Sequence, residues 1–301
     1  MTHSSPNSRI GLQILVALLV TTIPAACNKS DKNPMAPSGP PAAGSKIIYT
    51  AIGASDATAH GASIECVPFQ ADQCPDGRGY VQDAVRTLRA QGFTVTLQNL
   101  GIQTAVIGRD FQNLGMQYGH TILGNFIEQE MPFVLADSTI VTIFAGGNEI
   151  NTITAALGGG AGATDQAGYI DTQVKAFGTD YTILLAGIRA KAGTTRIIAL
   201  NVPNMAGLPF LAGASLGQKQ AAQRAAVGMS TTVVNSLTAQ GVVVVDLMCD
   251  SRTYLSSNLS PDGFHPNDSG YAFIAAEVVR AFTSSSYSAP RSSCSQMTVV
   301  P

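Results

Sequence analysis

Near the end of the chain, Ser260-Pro261-Asp262-Gly263-Phe264-His265-Pro266-Asn267 sets an aspartate and a histidine three residues apart across a glycine-containing turn. At that spacing the carboxylate can accept from the imidazole Nδ1–H and leave Nε2 free as a base near neutral pH. Such a base can take the proton of a serine hydroxyl, which is the opening step of acyl transfer. A candidate hydroxyl lies far earlier, in Gly53-Ala54-Ser55-Asp56-Ala57-Thr58-Ala59-His60-Gly61. There a glycine permits a tight turn after an apolar run, and an opening helix would leave N–H groups unpaired, able to hold an oxyanion. Read alone, each segment has a plainer meaning: Asp-x-x-His as a surface turn, Ser55 or Asp56 as a helix N-cap. Asp56, Asp246 and His60 are triad members by type, but none has the spacing of Asp262 and His265.

Two further segments place polar or glycine residues after apolar runs: Asn99-Leu100-Gly101-Ile102, where glycine permits close backbone approach, and Gly146-Gly147-Asn148-Glu149, which offers a side-chain amide. A rival nucleophile, Ser215 in Gly213-Ala214-Ser215-Leu216-Gly217, matches the G-x-S-x-G elbow of α/β-hydrolases. That elbow needs a strand directly before it. Pro203 to Ala212 carries two prolines instead, and Ser215 with Gln218 reads as a capping box opening a helix to Ala239. Leu157-Gly158-Gly159-Gly160-Ala161-Gly162 lacks the Lys-Ser/Thr of a phosphate loop and reads as a flexible loop beside the pocket. Met205, Leu208 and Phe210 follow a strand and either line an acyl pocket or simply pack their own loop.

The elements that must position these residues are legible as β-branched runs alternating with helical patterns. Residues 47–52, 94–98, 139–144, 196–201 and 241–246 read as buried parallel strands. From Gly168 to Lys191, the side chains of Ile170, Val174, Phe177, Tyr181, Leu184, Leu185 and Ile188 recur at three and four residues, the period of one helix face. A second helix is expected over 269–282. Alternation of this kind predicts an α/β fold with a parallel sheet covered on both sides, and ligands beyond the carboxyl ends of the strands. The segments of Ser55, Gly101 and Asn148 follow strands directly, and that of Asp262 and His265 lies later in the chain.

Taken together, the segments around Ser55, Gly101, Asn148 and His265 resemble the SGNH hydrolases, or GDSL lipases and esterases, over about Ile47 to Phe282 and in family order. The resemblance implies a three-layer flavodoxin-like fold with about five parallel strands. It implies Ser55 as nucleophile, His265 as base and Asp262 as the residue orienting it. The oxyanion hole would then comprise the backbone N–H groups of Ser55 and Gly101 and the side-chain amide of Asn148. The chemistry implied is hydrolysis of carboxylic esters (lipid, short-chain acyl or O-acetyl) through an acyl-enzyme, with neither metal nor cofactor. The chain departs from the family pattern at Ala54 and Glu149, where acids of the Gly-Asp-Ser and Gly-x-Asn-Asp motifs usually stand. The alternative is a non-catalytic surface lipoprotein binding a glycan or lipid.

The 301 residues carry a net charge of −2 with 12% charged and 45% hydrophobic residues, and a mean hydropathy of +0.19. That balance excludes a disordered chain and a polybasic nucleic-acid binder, and a monomer acting on a small or polymer-borne ester is expected. Residues 1–26 read as an export signal: the apolar run Ile10–Val20 is too short to span a bilayer, and Ala25-Ala26 precede Cys27 as in a lipoprotein cleavage site. Residues 27–44 read as a Pro/Ser/Gly-rich tether and 45–301 as the catalytic domain. Lipidated Cys27 would anchor the protein at a bacterial membrane, with plain cleavage and release as the other outcome. Four cysteines remain, and in an oxidising compartment pairing within neighbouring segments joins Cys66 to Cys74 and Cys249 to Cys294.

Overall fold

A computed structural model describes residues 39–66 and 74–301. The chain divides into units 1–32 and 33–301, and every described residue lies in the second. The segment expected to be an export signal, Cys27 and most of the segment expected to be a tether lie outside the described residues. Among those described, no helix is long and apolar enough to cross a membrane.

Five strands, β1 (Lys46–Gly53), β2 (Thr94–Asn99), β3 (Ile140–Phe144), β4 (Arg196–Leu200) and β5 (Val243–Val245), form one parallel sheet in the order β2-β1-β3-β4-β5. Side chains alternate between its faces with the period of two that a pleated strand imposes. Ile52, Val141, Ile143, Ile197, Ala199 and Val244 join the core on one face. Tyr49, Ala51, Ile140, Ile198, Leu200 and Val245 join the core on the other. With both faces covered, β3 and β4 are buried along nearly their whole length, as the sequence predicted, whereas the edge strand β2 alternates, with Val95 and Leu97 buried and Thr94 and Thr96 exposed.

The first face is covered by α2 (Arg109–Gln117), α4 (Gly147–Gly158), α5 (Gln166–Ala192) and α6 (Leu216–Gly228), the second by α1 (Tyr80–Ala90) and α7 (Asp268–Thr283). All seven side chains predicted to share one face of α5 are buried, the six other than Tyr181 each contributing roughly 1.5–3 kcal/mol of apolar burial. The expected single helix from Ser215 to Ala239 is instead α6 followed by a π-helical stretch, Met229–Val234, and 3₁₀ turns over Asn235–Gln240. Four β-branched residues in a row, Thr231, Thr232, Val233 and Val234, stand there. The Thr231 and Thr232 hydroxyls each donate to a carbonyl four residues back, a bond that bends helices. A short helix, α3 (Phe126–Gln129), packs beside the loop after β2 through N–H bonds from Phe126 and Ile127 to the Val106 and Ile107 carbonyls.

Both expected disulfides form, Cys66–Cys74 across 8 residues and Cys249–Cys294 across 45.

Candidate active site

After Gly53 the chain leaves β1 in a tight turn in which the Ser55 carbonyl accepts from the Thr58 N–H, the Thr58 hydroxyl and the His60 N–H, at 3.1, 3.0 and 2.9 Å. Three donors on one carbonyl hold the turn around Ser55, whose own N–H has no hydrogen-bond partner among the described residues. The Asp262–Gly263 turn approaches from the other end of the chain, pinned by the Ser260 N–H to the His265 carbonyl at 2.8 Å. His265 Nε2 then lies 2.8 Å from Ser55 Oγ, and Nδ1 lies 2.6 Å from Asp262 Oδ2. With the proton on Nδ1, the imidazole donates to the carboxylate and accepts from the serine hydroxyl.

Asp262 does more than face the ring. Its Oδ1 accepts from the Ser260 hydroxyl at 2.6 Å, the Phe264 N–H at 2.8 Å and the His265 N–H at 3.0 Å. Burial alone would raise its pKa, but the hydrogen bonds from Ser260, His265 and Phe264 outweigh it and hold the carboxyl well below the usual range. The ring of His265 is clasped edge-on by Phe264 and His60, both at 4.6 Å between centroids. Phe264 was not among the residues singled out from sequence, because only the folded loop turns it onto the imidazole.

Asn148 sits on the first turn of α4, and its Nδ2 donates to the Ala105 carbonyl at 3.0 Å, which leaves one of its two amide hydrogens unspent. The turn before it requires Gly146, held at φ 121°, where a Cβ would come 2.4 Å from Val202 Cγ1. Glu149 caps the same helix, with Oε2 accepting from the Gly146 N–H at 2.9 Å and Oε1 from the Ile107 N–H at 2.5 Å. Burial pushes this carboxyl up to about 7 against the pull of those N–H groups. Glu149 thereby ties the loop after β2 to the loop after β3.

Gly101 stands differently from its expected place. Its N–H donates to Asn99 Oδ1 at 3.1 Å, and it does not line the pocket. Glycine is needed there for packing, since a Cβ would lie 2.7 Å from Ala57 Cβ. In the same loop Ile102, Ala105, Val106 and Ile107 all spend their N–H groups, whereas those of Gln103 and Thr104 have no partner among the described residues. Thr104 is held at φ 59°, a left-handed conformation that costs a non-glycine residue roughly 1–3 kcal/mol and concentrates at functional sites. Nothing in a threonine signals this from sequence.

Ser55 lines a cleft that opens to solvent, about 740 Å³ with the open space at its mouth included. Its walls include Phe126, Phe144, Val202, Met205, Leu208 and Phe264, and no Lys or Arg is among the described residues lining it. Met205 and Leu208 therefore reach the pocket, while Phe210 stays outside, half-exposed and tilted against Phe264 at 5.2 Å. The glycine-rich loop at the end of α4 does not line it. Asp56 lies next to Ser55, its pKa raised from the ordinary range by burial, and its carboxyl accepts from the Tyr271 hydroxyl at 3.5 Å rather than from an imidazole. Asp246 is spent on Asn201 Nδ2 and the N–H groups of Cys249 and Arg291. Ser215 is an exposed N-cap reciprocally bonded to Gln218.

The sequence matches the GDSL-like lipase/acylhydrolase family over residues 77–273, a span that holds Asn148, Asp262 and His265 and begins after Ser55. No curated protein matches it. Among solved structures, a lipase from a goat rumen metagenome is similar at a TM-score of 0.54 and 17% identity, covering 79% of this chain and 98% of that one. An extracellular lipase from Streptomyces rimosus is similar at 0.53 and 15%, covering 77% and 99%. A phospholipase A1 from Streptomyces albidoflavus is similar at 0.51 and 16%, covering 81% and 100%. These likenesses extend the fold over about four-fifths of the chain, and with residues 77–273, more than half of the sequence, matched, the chain belongs to the GDSL-like lipase/acylhydrolase family.

Proposed function

We propose that the protein is an exported serine esterase in which Ser55, His265 and Asp262 act as nucleophile, base and orienting acid. The observation that carries this reading is the unbroken chain of short contacts, 2.8 Å from Ser55 Oγ to Nε2 and 2.6 Å from Nδ1 to Asp262 Oδ2. His265 takes the serine proton as Oγ attacks the ester carbonyl, then returns it to the departing alcohol. Water, deprotonated by the same imidazole, releases the acid from the acyl-enzyme. The oxyanion is held by the unspent N–H of Ser55 and the free amide hydrogen of Asn148. In place of Gly101, whose N–H is occupied, the strained and unpaired N–H of Thr104 is the third donor. The apolar, cation-free cleft favours an uncharged acyl group over an acidic one.

Two disulfides support export, since such bonds persist in oxidising compartments. Attachment through lipidated Cys27 completes the proposal; Cys27→Ala should abolish labelling by a radioactive fatty acid, and unchanged labelling would sink the anchor.

The deciding experiment is the intact mass of the protein after a fluorophosphonate. One adduct, absent from Ser55→Ala and present in Ser215→Ala, is the expected result. Loss only in Ser215→Ala would move the nucleophile to the α6 cap. A folded wild type that takes no adduct would favour non-catalytic binding of a glycan or lipid. Asn148→Ala is expected to lower turnover by roughly 10²–10³, as loss of one oxyanion donor does elsewhere.

A further inference from the structure

Glu130 is a carboxylate with no exposed surface, at the C-terminal end of α3 and far in sequence from every residue of the triad. Its Oε2 accepts the Gly53 N–H at 2.9 Å, two residues before the nucleophile. The position has a geometric cause. Where β2 ends, the Leu100 N–H still bonds the Ala51 carbonyl at 2.8 Å and the Ile102 N–H bonds the Gly53 carbonyl at 3.1 Å, but no strand carbonyl meets the Gly53 N–H. The carboxyl of Glu130 fills that gap in the ladder. Its other oxygen, Oε1, is buried without a hydrogen-bond partner.

An acid in this place is costly, and the surrounding chain is built to deliver it. The helix before it is fastened to the loop after β2 by the Phe126 N–H on the Val106 carbonyl at 2.9 Å and the Ile127 N–H on the Ile107 carbonyl at 3.2 Å. Glu130 thus joins the end of β1 to the loop that carries Thr104 and Ala105. The turn it supports is the one in which the usual acid before the serine is replaced by Ala54, which is buried and apolar.

Resting on the reading of Ser55 as nucleophile, we infer that Glu130 is a positioning residue of the active site: it fixes the last amide of β1 from below, so that the Gly53-Ala54-Ser55 turn presents Oγ to His265. It touches no reacting atom. Burial pushes its carboxyl well above the ordinary glutamate range, which favours the neutral acid and makes glutamine, with a carbonyl for Gly53 and a donor in place of the acid hydroxyl, the conservative replacement.

The test compares Glu130→Gln, Glu130→Asp and Glu130→Met in the full chain by kcat and KM on a short-chain nitrophenyl ester, the rate of fluorophosphonate labelling at Ser55, and circular dichroism. Glutamine is expected to stay within about threefold of wild type. Methionine, which fills the space without an acceptor, and aspartate, which withdraws the acceptor by one methylene, are expected to lose at least tenfold in kcat and in labelling rate at unchanged KM. Retained kcat in the methionine and aspartate variants, or a glutamine variant as poor as methionine, overturns the inference. So does loss of the folded spectrum in all three, which makes Glu130 a support of the sheet as a whole. Wild type that neither labels nor turns over refutes the esterase reading itself and the Glu130 role with it.

Discussion

Replacing Asp262 by asparagine changes one atom and reverses a hydrogen bond. In the native site three donors, the Ser260 hydroxyl and the N–H groups of Phe264 and His265, converge on Oδ1. Only an oxygen can sit among three donors, so the carbonyl oxygen of the new side chain stays there and the NH₂ takes the place of Oδ2, 2.6 Å from His265 Nδ1. The ring must then accept at Nδ1 and carry its proton on Nε2, where it cannot receive the proton of Ser55. Loss of the correct tautomer in Ser-His-Asp sites costs roughly 10⁴ in kcat, or about 5.5 kcal/mol of transition-state stabilisation. Folding stability should fall far less. The Asp262 side chain is 41% exposed, and solvent screening leaves about 1 kcal/mol for the lost charge on its hydrogen bonds. The sign with pH follows from a native pKa held below the unfolded one. The contribution is present above the ordinary carboxylate range and is lost as pH falls through the lowered native value, so the variant should lose part of the acid limb of the wild-type stability curve. Ester turnover and urea unfolding on the same preparations separate the two effects. A folded Asp262→Asn with kcat within about tenfold of wild type would refute the tautomer argument.

Glu149 titrates in the opposite sense. Its pKa is raised to about 7 by burial, so the folded state holds a proton that the unfolded state releases, and stability falls as pH rises from the ordinary glutamate range to about 7. The size is about 3 kcal/mol; urea unfolding at pH 5 and 7.5 should show a smaller difference for Glu149→Gln, and an equal one would count against it. Ser215→Ala should leave turnover intact and cost about 1 kcal/mol as a lost N-cap, measured by the same unfolding; a collapse of turnover would reinstate the elbow. Replacing Cys249 and Cys294 by serine should destabilise by about 4 kcal/mol and replacing Cys66 and Cys74 by about 2.6, from the chain entropy of the loops they close; a larger loss from the shorter loop would contradict that account.

The sequence determined the layers of this protein. Apolar strands with turn residues after each, and a three-and-four periodicity over α5, specify a buried parallel sheet because such patterns bury their faces in no other arrangement. It also marked Asp262 and His265, whose relation is local: three residues across a turn fix how a carboxylate meets a ring. Ser55 was legible only in company with the other segments, since a serine after a strand is as often a cap. What depended on long-range contact was hidden. Gly101 looked like an oxyanion donor because glycine follows the strand, yet tertiary packing against Ala57 explains the glycine and Asn99 takes its N–H. Thr104 carries the left-handed backbone instead, and no propensity of threonine announces it. Glu130 stands in sequence among Phe126, Ile127, Met131 and Phe133 with no motif to mark it. Only the folded chain, by ending β2 one residue short of a partner for the Gly53 N–H, creates the gap that a distant carboxyl fills.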